Sequence, residues 1–154
     1  MIVVQLSGGM GNQMFQYAFG RTLAHRHNTQ LKLDISYFDS KHNKESNAVR
    51  SYDLDSMNVE ENFATEKEIF QLTKRFKNRA VEKIFTKIIG AKKSVINEPH
   101  FHFSDWAYNS PDNVYLAGYW QSEKYFAAIK TLILADFIPK KEMTDEAKEM
   151  CNHI

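Results

Sequence analysis

The sequence has little cysteine: Cys151 stands alone among 154 residues. A single thiol excludes an internal disulfide and fits a reducing, cytoplasmic setting. Long apolar runs are also missing. The first one, Ile2 to Leu6, gives way to glycine at position 8, too soon for the core of a secretory signal. No run approaches the roughly 20 apolar residues that span a bilayer, so no transmembrane segment is expected. Neither sign of charge is in excess. Twenty Lys and Arg against 19 Asp and Glu leave a net charge of +1, which gives no global reason to expect nucleic acid as a partner. Repeats and low-complexity tracts are absent. What remains is an ordinary globular chain, 43% hydrophobic and 25% charged, long enough for one domain with a sizeable core.

The stretch from Ile2 to Ala24 carries the most information. Ile2-Val3-Val4-Gln5-Leu6 is rich in β-branched residues and is stopped by Ser7-Gly8-Gly9, the pattern of a buried strand. After Gly11 the period changes. Met14, Phe15, Ala18 and Leu23 recur at helical spacing, and His25-Arg26-His27 places positive charge near the helix C-terminus, where the dipole favours it. Strand, glycine-rich turn and helix together point free backbone N–H groups at an anionic or polar ligand. Asn12 and Gln13 add two amide side chains at the mouth of that turn. Two better-known glycine signatures are incomplete here. Gly9-x-Gly11 is followed by Met14 where a dinucleotide fingerprint needs its third glycine, and no lysine follows for a phosphate-binding P-loop.

Further along, Gln30 to Ile35 reads as a second strand ending near Asp34, and Ser36 to Ser51 as a polar surface loop. Helix is expected from Asn58 onward. Thr65 and Glu68 form a capping-box pattern ahead of Ile69, Leu72, Phe76, Ala80, Ile84 and Ile88 on one face, with Gly90 as the stop. Residues 74–93 concentrate basic charge, either the solvated face of a packed helix or a peripheral membrane contact. Val95 to Phe103 reads as extended, with His100 and His102 on the same side. No third ligand is set near this pair, so no metal site is expected. Val114 to Gly118 reads as the next strand. Ser122 is placed to cap a helix carrying Tyr125, Phe126, Ile129, Leu132 and Ile133. Tyr119, Trp120 and Gln121 fall at that strand's carboxyl end, where open α/β sheets bind ligands. Thr144 to Ile154 fits a last amphipathic helix.

Two strings carry a family likeness. Gly8-Gly9-Met10-Gly11-Asn12-Gln13-Met14-Phe15-Gln16-Tyr17-Ala18 resembles the N-terminal signature of the α-1,2-fucosyltransferases, glycosyltransferase family 11. Tyr115-Leu116-x-Gly118-Tyr119-Trp120-Gln121-Ser122-Glu123-Lys124-Tyr125-Phe126 is similar to a second block of that family, with Ala117 where many members carry an acid. The family's His-x-Arg-Arg-Gly-Asp-Tyr motif, which supplies arginines to the GDP-fucose diphosphate, is not present.

The resemblance implies an α/β, Rossmann-like N-terminal lobe of a two-lobed, GT-B-like glycosyltransferase. Residues 1–154 are then the acceptor-side lobe, and the GDP-fucose-binding lobe lies outside this chain. It implies inverting transfer of fucose from GDP-fucose to the 2-hydroxyl of a galactoside, with no metal and no further cofactor. The expected substrate-binding residues are Gly8, Gly9, Gly11, Asn12, Gln13, Tyr119, Trp120 and Gln121, with Asn12 foremost for the sugar nucleotide. Inversion needs a base, for which Asp34, Asp39 and His42 are candidates by loop position alone. Two other readings stand beside this one: a nucleotide-binding oxidoreductase domain, and a non-catalytic module that binds a glycan or a partner.

Overall fold

The opening apolar run forms strand β1 (Ile2–Gln5), and its lack of alternation has a direct cause. Both of its faces are covered, as expected of a parallel strand inside an α/β layer. Ile2, Val4 and Leu6 pack into the main core with Tyr17, Phe19 and Leu23, while Val3 joins Leu72 and Tyr115 on the opposite face. The computed structural model of the chain describes residues 1–74 and 94–141.

After β1 the chain runs through helix α1 (Met10–His27), strand β2 (Leu31–Asp34), a short helix α2 (Lys41–Lys44) and helix α3 (Glu66–Thr73). Strand β3 (Val95–Asn97), short helix α4 (Asp105–Tyr108), strand β4 (Val114–Ala117) and helix α5 (Lys130–Asp136) follow. The four strands make one parallel sheet in the order β2-β1-β4-β3, with Ile2 in register with Leu31 on one side and Val114 on the other. Helices flank this sheet in a Rossmann-like lobe. From β1 the chain steps outward to β2, then crosses to the far edge and returns through β4 to the other flank of β1. The carboxyl ends of β1 and β4 therefore bound a topological switch point, the place where such sheets open a crevice.

Helix α1 is the central brace of the lobe. Its buried face carries Tyr17, Ala18, Phe19, Leu23 and Ala24 together with Gln13, Gln16 and Thr22. It ends where Asn28 adopts a left-handed conformation (φ 49°) and donates its N–H to the His25 carbonyl. Tyr17 Oη donates to Asp136 Oδ2 at 2.9 Å, and Arg21 Nε donates to the same oxygen at 3.1 Å, which ties α5 to α1. Burial pushes the Tyr17 phenol above its ordinary range, so it stays a donor.

Several boundaries differ from the sequence expectation. Thr65 and Glu68 do form a capping box, but the helix starts at Glu66 rather than near Asn58. It stops at Lys74, which takes a left-handed cap (φ 57°), so it does not run unbroken to Gly90. Phe76, Ala80, Ile84, Ile88 and the basic residues 75–93, with the membrane contact read there, lie outside the described residues, as does the helix expected over Thr144 to Ile154. The extended run expected over Val95 to Phe103 is only β3. Glu98 N makes a last bond to the Ala117 carbonyl at 2.9 Å, and Pro99 then has no N–H with which to continue the ladder. His100 and His102 consequently share no strand face. They meet in a bend where His102 N donates to His100 Nδ1 at 3.3 Å.

Ser122 caps no helix either. Two 3₁₀ turns, Glu123–Tyr125 and Ala127–Ile129, precede α5. Tyr125 anchors this stretch: its ring lies 4.4 Å from that of Phe19, and its hydroxyl accepts from Ser104 N at 2.8 Å. Among the described residues, no helix is long and apolar enough to cross a membrane.

Candidate functional site

The two family-like strings meet at the switch point. The turn after β1 is shorter than the glycines suggest. Gly8 alone needs a left-handed backbone (φ 74°), Gly9 is the N-cap of α1, and Gly11 already lies in the first helical turn with open space around it. A Cβ on Gly8 would sit 2.5 Å from Asn12 Nδ2, so the Asn12 side chain folds back over the turn. No side chain caps α1, which leaves the N–H groups of its first turn without side-chain acceptors.

Gln13 follows Asn12 in sequence but faces inward. It is fully buried and saturated: Nε2 donates to the carbonyls of Gly8 (3.1 Å) and Ser51 (2.8 Å), and Oε1 accepts from Asp53 N (2.9 Å). One helical turn later, Gln16 does the same for the other wall. Its Oε1 accepts from Ser7 N, and its Nε2 donates to Ser7 Oγ and to the Gly118 carbonyl, each within about 3.0 Å. Two buried amides on one helix face thus fix three loops around the crevice.

The opposite wall is the loop after β4. Gly118 (φ 159°) and Trp120 (φ 58°) both have left-handed backbones, an outlier conformation for a bulky aromatic residue. Glu98 holds them there, its carboxylate accepting from Tyr119 N at 2.7 Å and Trp120 N at 3.0 Å. The Trp120 side chain is fully buried, 4.8 Å from the Phe19 ring between centroids, and its Nε1 has no hydrogen-bond partner among the described residues. Tyr119 is 39% exposed. Gln121 points across the crevice, where its Nε2 donates to Asn12 Oδ1 at 2.7 Å. Beside this wall, a cavity of about 400 Å³ is lined by Glu98, His100, Phe101, Gly118 and Tyr119.

The structure places the candidate bases in separate settings. Both carboxylate oxygens of Asp34 are engaged, Oδ2 by the Tyr115 hydroxyl at 2.6 Å and Oδ1 by Ser36 N at 2.9 Å. Asp39 is exposed near Lys44 Nζ at 3.8 Å, and His42 stands edge-on to Tyr37. The same loop contributes two residues that the sequence did not single out. Fully buried Asn43 binds both backbone groups of Arg50, its Oδ1 accepting from Arg50 N and its Nδ2 donating to the Arg50 carbonyl. Arg50 is thereby set at the glycine turn, its Nη1 3.5 Å from where a Gly9 Cβ would lie. Nothing in the order of residues 43–50 marks this pairing. Among the described residues, no cluster of three or more His, Cys, Asp or Glu could hold a metal ion.

Comparison with known proteins gives one similarity. Over all 154 residues the chain is 30% identical to an alpha-1,2-colitosyltransferase from Escherichia coli. It spans about half the length of that relative, 50%. No protein-family model matches the chain, and no solved structure does. The similarity extends along the whole chain.

Proposed function

We propose that this chain is the N-terminal, acceptor-side lobe of a two-lobed, inverting glycosyltransferase that forms an α-1,2 linkage, transferring fucose from GDP-fucose to the 2-hydroxyl of a galactoside. The observation that carries this reading is the Asn12–Gln121 bridge, because it brings the two strings resembling α-1,2-fucosyltransferases onto facing walls of one crevice. The Escherichia coli relative is also named for an α-1,2 transfer. Linkage is therefore common to both likenesses while the sugar differs, and a nucleotide-activated colitose is the second donor to test.

The Gly8–Asn12 wall suits a donor. Uncapped N–H groups at the start of α1 and the Arg50 guanidinium both favour the oxygens of a diphosphate. Guanidinium charge of this kind supports a leaving diphosphate without a metal ion, and the proposed second lobe would add the arginines of its own motif. The Tyr119–Gln121 wall suits an acceptor. A half-exposed ring matches the apolar face of a sugar, and an amide can donate to and accept from hydroxyls. Asp34 already has both oxygens engaged, which leaves Asp39, His42 or a group of the second lobe to take the acceptor proton.

The test is incubation of the full-length protein with GDP-fucose and a galactoside, with the linkage read by NMR. An α-1,2-fucosylated product is expected. No transfer from either nucleotide sugar, together with a thermal shift on adding NAD, would overturn the reading in favour of an oxidoreductase domain.

A further inference from the structure

The loop after β4 is built in a way that packing alone does not require. Two consecutive backbone N–H groups, those of Tyr119 and Trp120, converge on the single carboxylate of Glu98. The conformation so held is costly, because Trp120 sits at φ 58°, a region that bulky side chains avoid. Strain of this sort persists only where surrounding contacts over-determine it. Here Gly118 is part of the device, since a Cβ at that position would lie 2.3 Å from Glu98 Cβ. Absence of a side chain lets the Glu98 stem approach the loop. Glu98 itself is fixed at the end of β3, where its N–H bonds the Ala117 carbonyl. The chain of contacts runs from a strand end, through one carboxylate, to the loop that presents the Tyr119 ring and the Gln121 amide at the crevice.

We propose that Glu98 is a positioning residue for acceptor binding, holding the Tyr119–Gln121 wall in the strained shape that meets the acceptor sugar. This rests on the glycosyltransferase reading above. Glu98 touches neither donor nor acceptor in this account, and acts through the two amides. The effect falls mainly on the acceptor, because Gly8 and Arg50 on the other wall are held by Gln13 and Asn43 independently of Glu98, and only Asn12 there is tied to the loop that Glu98 holds, through Gln121.

The experiment compares the full-length protein with its Glu98→Gln variant in a Trp106→Phe background. Trp106 is 63% exposed and is the other tryptophan of these 154 residues; with it removed, subtracting the signal of a Trp106→Phe/Trp120→Phe control isolates the fluorescence of buried Trp120. A glutamine offers one carbonyl oxygen where the carboxylate offers two, and its NH₂ group faces the second amide as a fellow donor. The expected result is a rise of about tenfold or more in acceptor KM, little change in donor KM or kcat, and increased acrylamide quenching of Trp120; a tenfold change corresponds to about 1.4 kcal/mol. Unchanged acceptor KM alongside an altered Trp120 signal would overturn the proposal, since the loop would have moved without consequence. A kcat loss with acceptor KM intact would overturn it too. Should Glu98→Gln fail to fold, acceptor titration of the Trp106→Phe protein decides: saturating galactoside must change Trp120 quenching, and no change overturns the proposal. Failure of the unmutated protein to transfer any sugar sinks the underlying reading, an outcome distinct from transfer that ignores Glu98.

Discussion

Gln121 Nε2 donates to Asn12 Oδ1 at 2.7 Å, joining the first turn of α1 to the loop after β4 across 109 positions of sequence. Neither side chain is needed to fill the core, and the bond spans the crevice at its exposed mouth. A double-mutant cycle on Asn12→Ala and Gln121→Ala measures what the bridge does. Each single change is expected to weaken substrate use about tenfold, with a coupling energy of about 1 kcal/mol between them. Thermal unfolding should barely move. Strictly additive losses would show that the two walls bind independently.

Three glycines in one motif should answer differently to the same substitution. Gly8→Ala forces an L residue into a left-handed backbone, costing about 1–2 kcal/mol, and drives a methyl group against Asn12. Activity and stability are expected to fall together. Gly9→Ala meets Arg50 Nη1 only at 3.5 Å, an ordinary contact, and should be tolerated by the fold. Gly11→Ala lies in the helix facing open space, so it should raise stability by up to about 1 kcal/mol. Chemical denaturation of the three variants checks the order, and equal losses at all three would contradict this account of the turn.

The same contrast shows what the sequence could disclose. Strand β1, helix α1 and the capping box at Thr65 were legible because periodicity and local chemistry act over a few residues. The crevice was legible as two strings, each at the end of an apolar strand. Side-chain direction within those strings was not. Gln13 and Trp120 turn into the protein while Asn12, Tyr119 and Gln121 line or approach the crevice. Hydropathy hides this because buried amides on α1 look polar, so its inner face does not stand out. Glu98, Asn43 and Arg50 were invisible for a different reason. Glu98 acts on backbone in another segment, 21 residues beyond it, while Asn43 meets Arg50 across seven residues of an irregular loop, and no local pattern records either partner.

Gln13 therefore makes a prediction about folding. Gln13→Leu keeps the bulk but leaves the Ser51 carbonyl and Asp53 N–H without their partner. At about 1–3 kcal/mol for each group left unsatisfied, least where water reaches the exposed Ser51, the loss should total about 2–6 kcal/mol. That exceeds the gain from burying an apolar side chain in its place, about 1.5–3 kcal/mol at full transfer, only where the loop cannot relax toward water. Urea denaturation reads the difference. A neutral Gln13→Leu variant would mean that the 51–53 loop opens to solvent and needs no brace.

Glu68 gives the fold a defined response to acid. Its carboxylate accepts from Lys32 Nζ at 2.8 Å and from Thr65 N at 2.8 Å, and these bonds, the Lys32 bond first, hold its pKa down at about 2 against an ordinary 4.5. A depressed carboxylate stabilises the folded state fully above the unfolded value and loses that contribution as pH falls through the folded value. The window is thus from about 4.5 down to about 2. In Glu68→Gln the stability curve should be flatter across that window, and lower than the unmutated protein at pH 7. Thr65→Ala removes the other half of the capping box and should cost about 1 kcal/mol at neutral pH. It should also move Glu68 back toward its ordinary value, because one of the hydrogen bonds that favour its charged form is then lost. If acid unfolding keeps the same slope in Glu68→Gln, the pH response belongs to other carboxylates, and the link from β2 through Lys32 to α3 contributes nothing that protonation can remove.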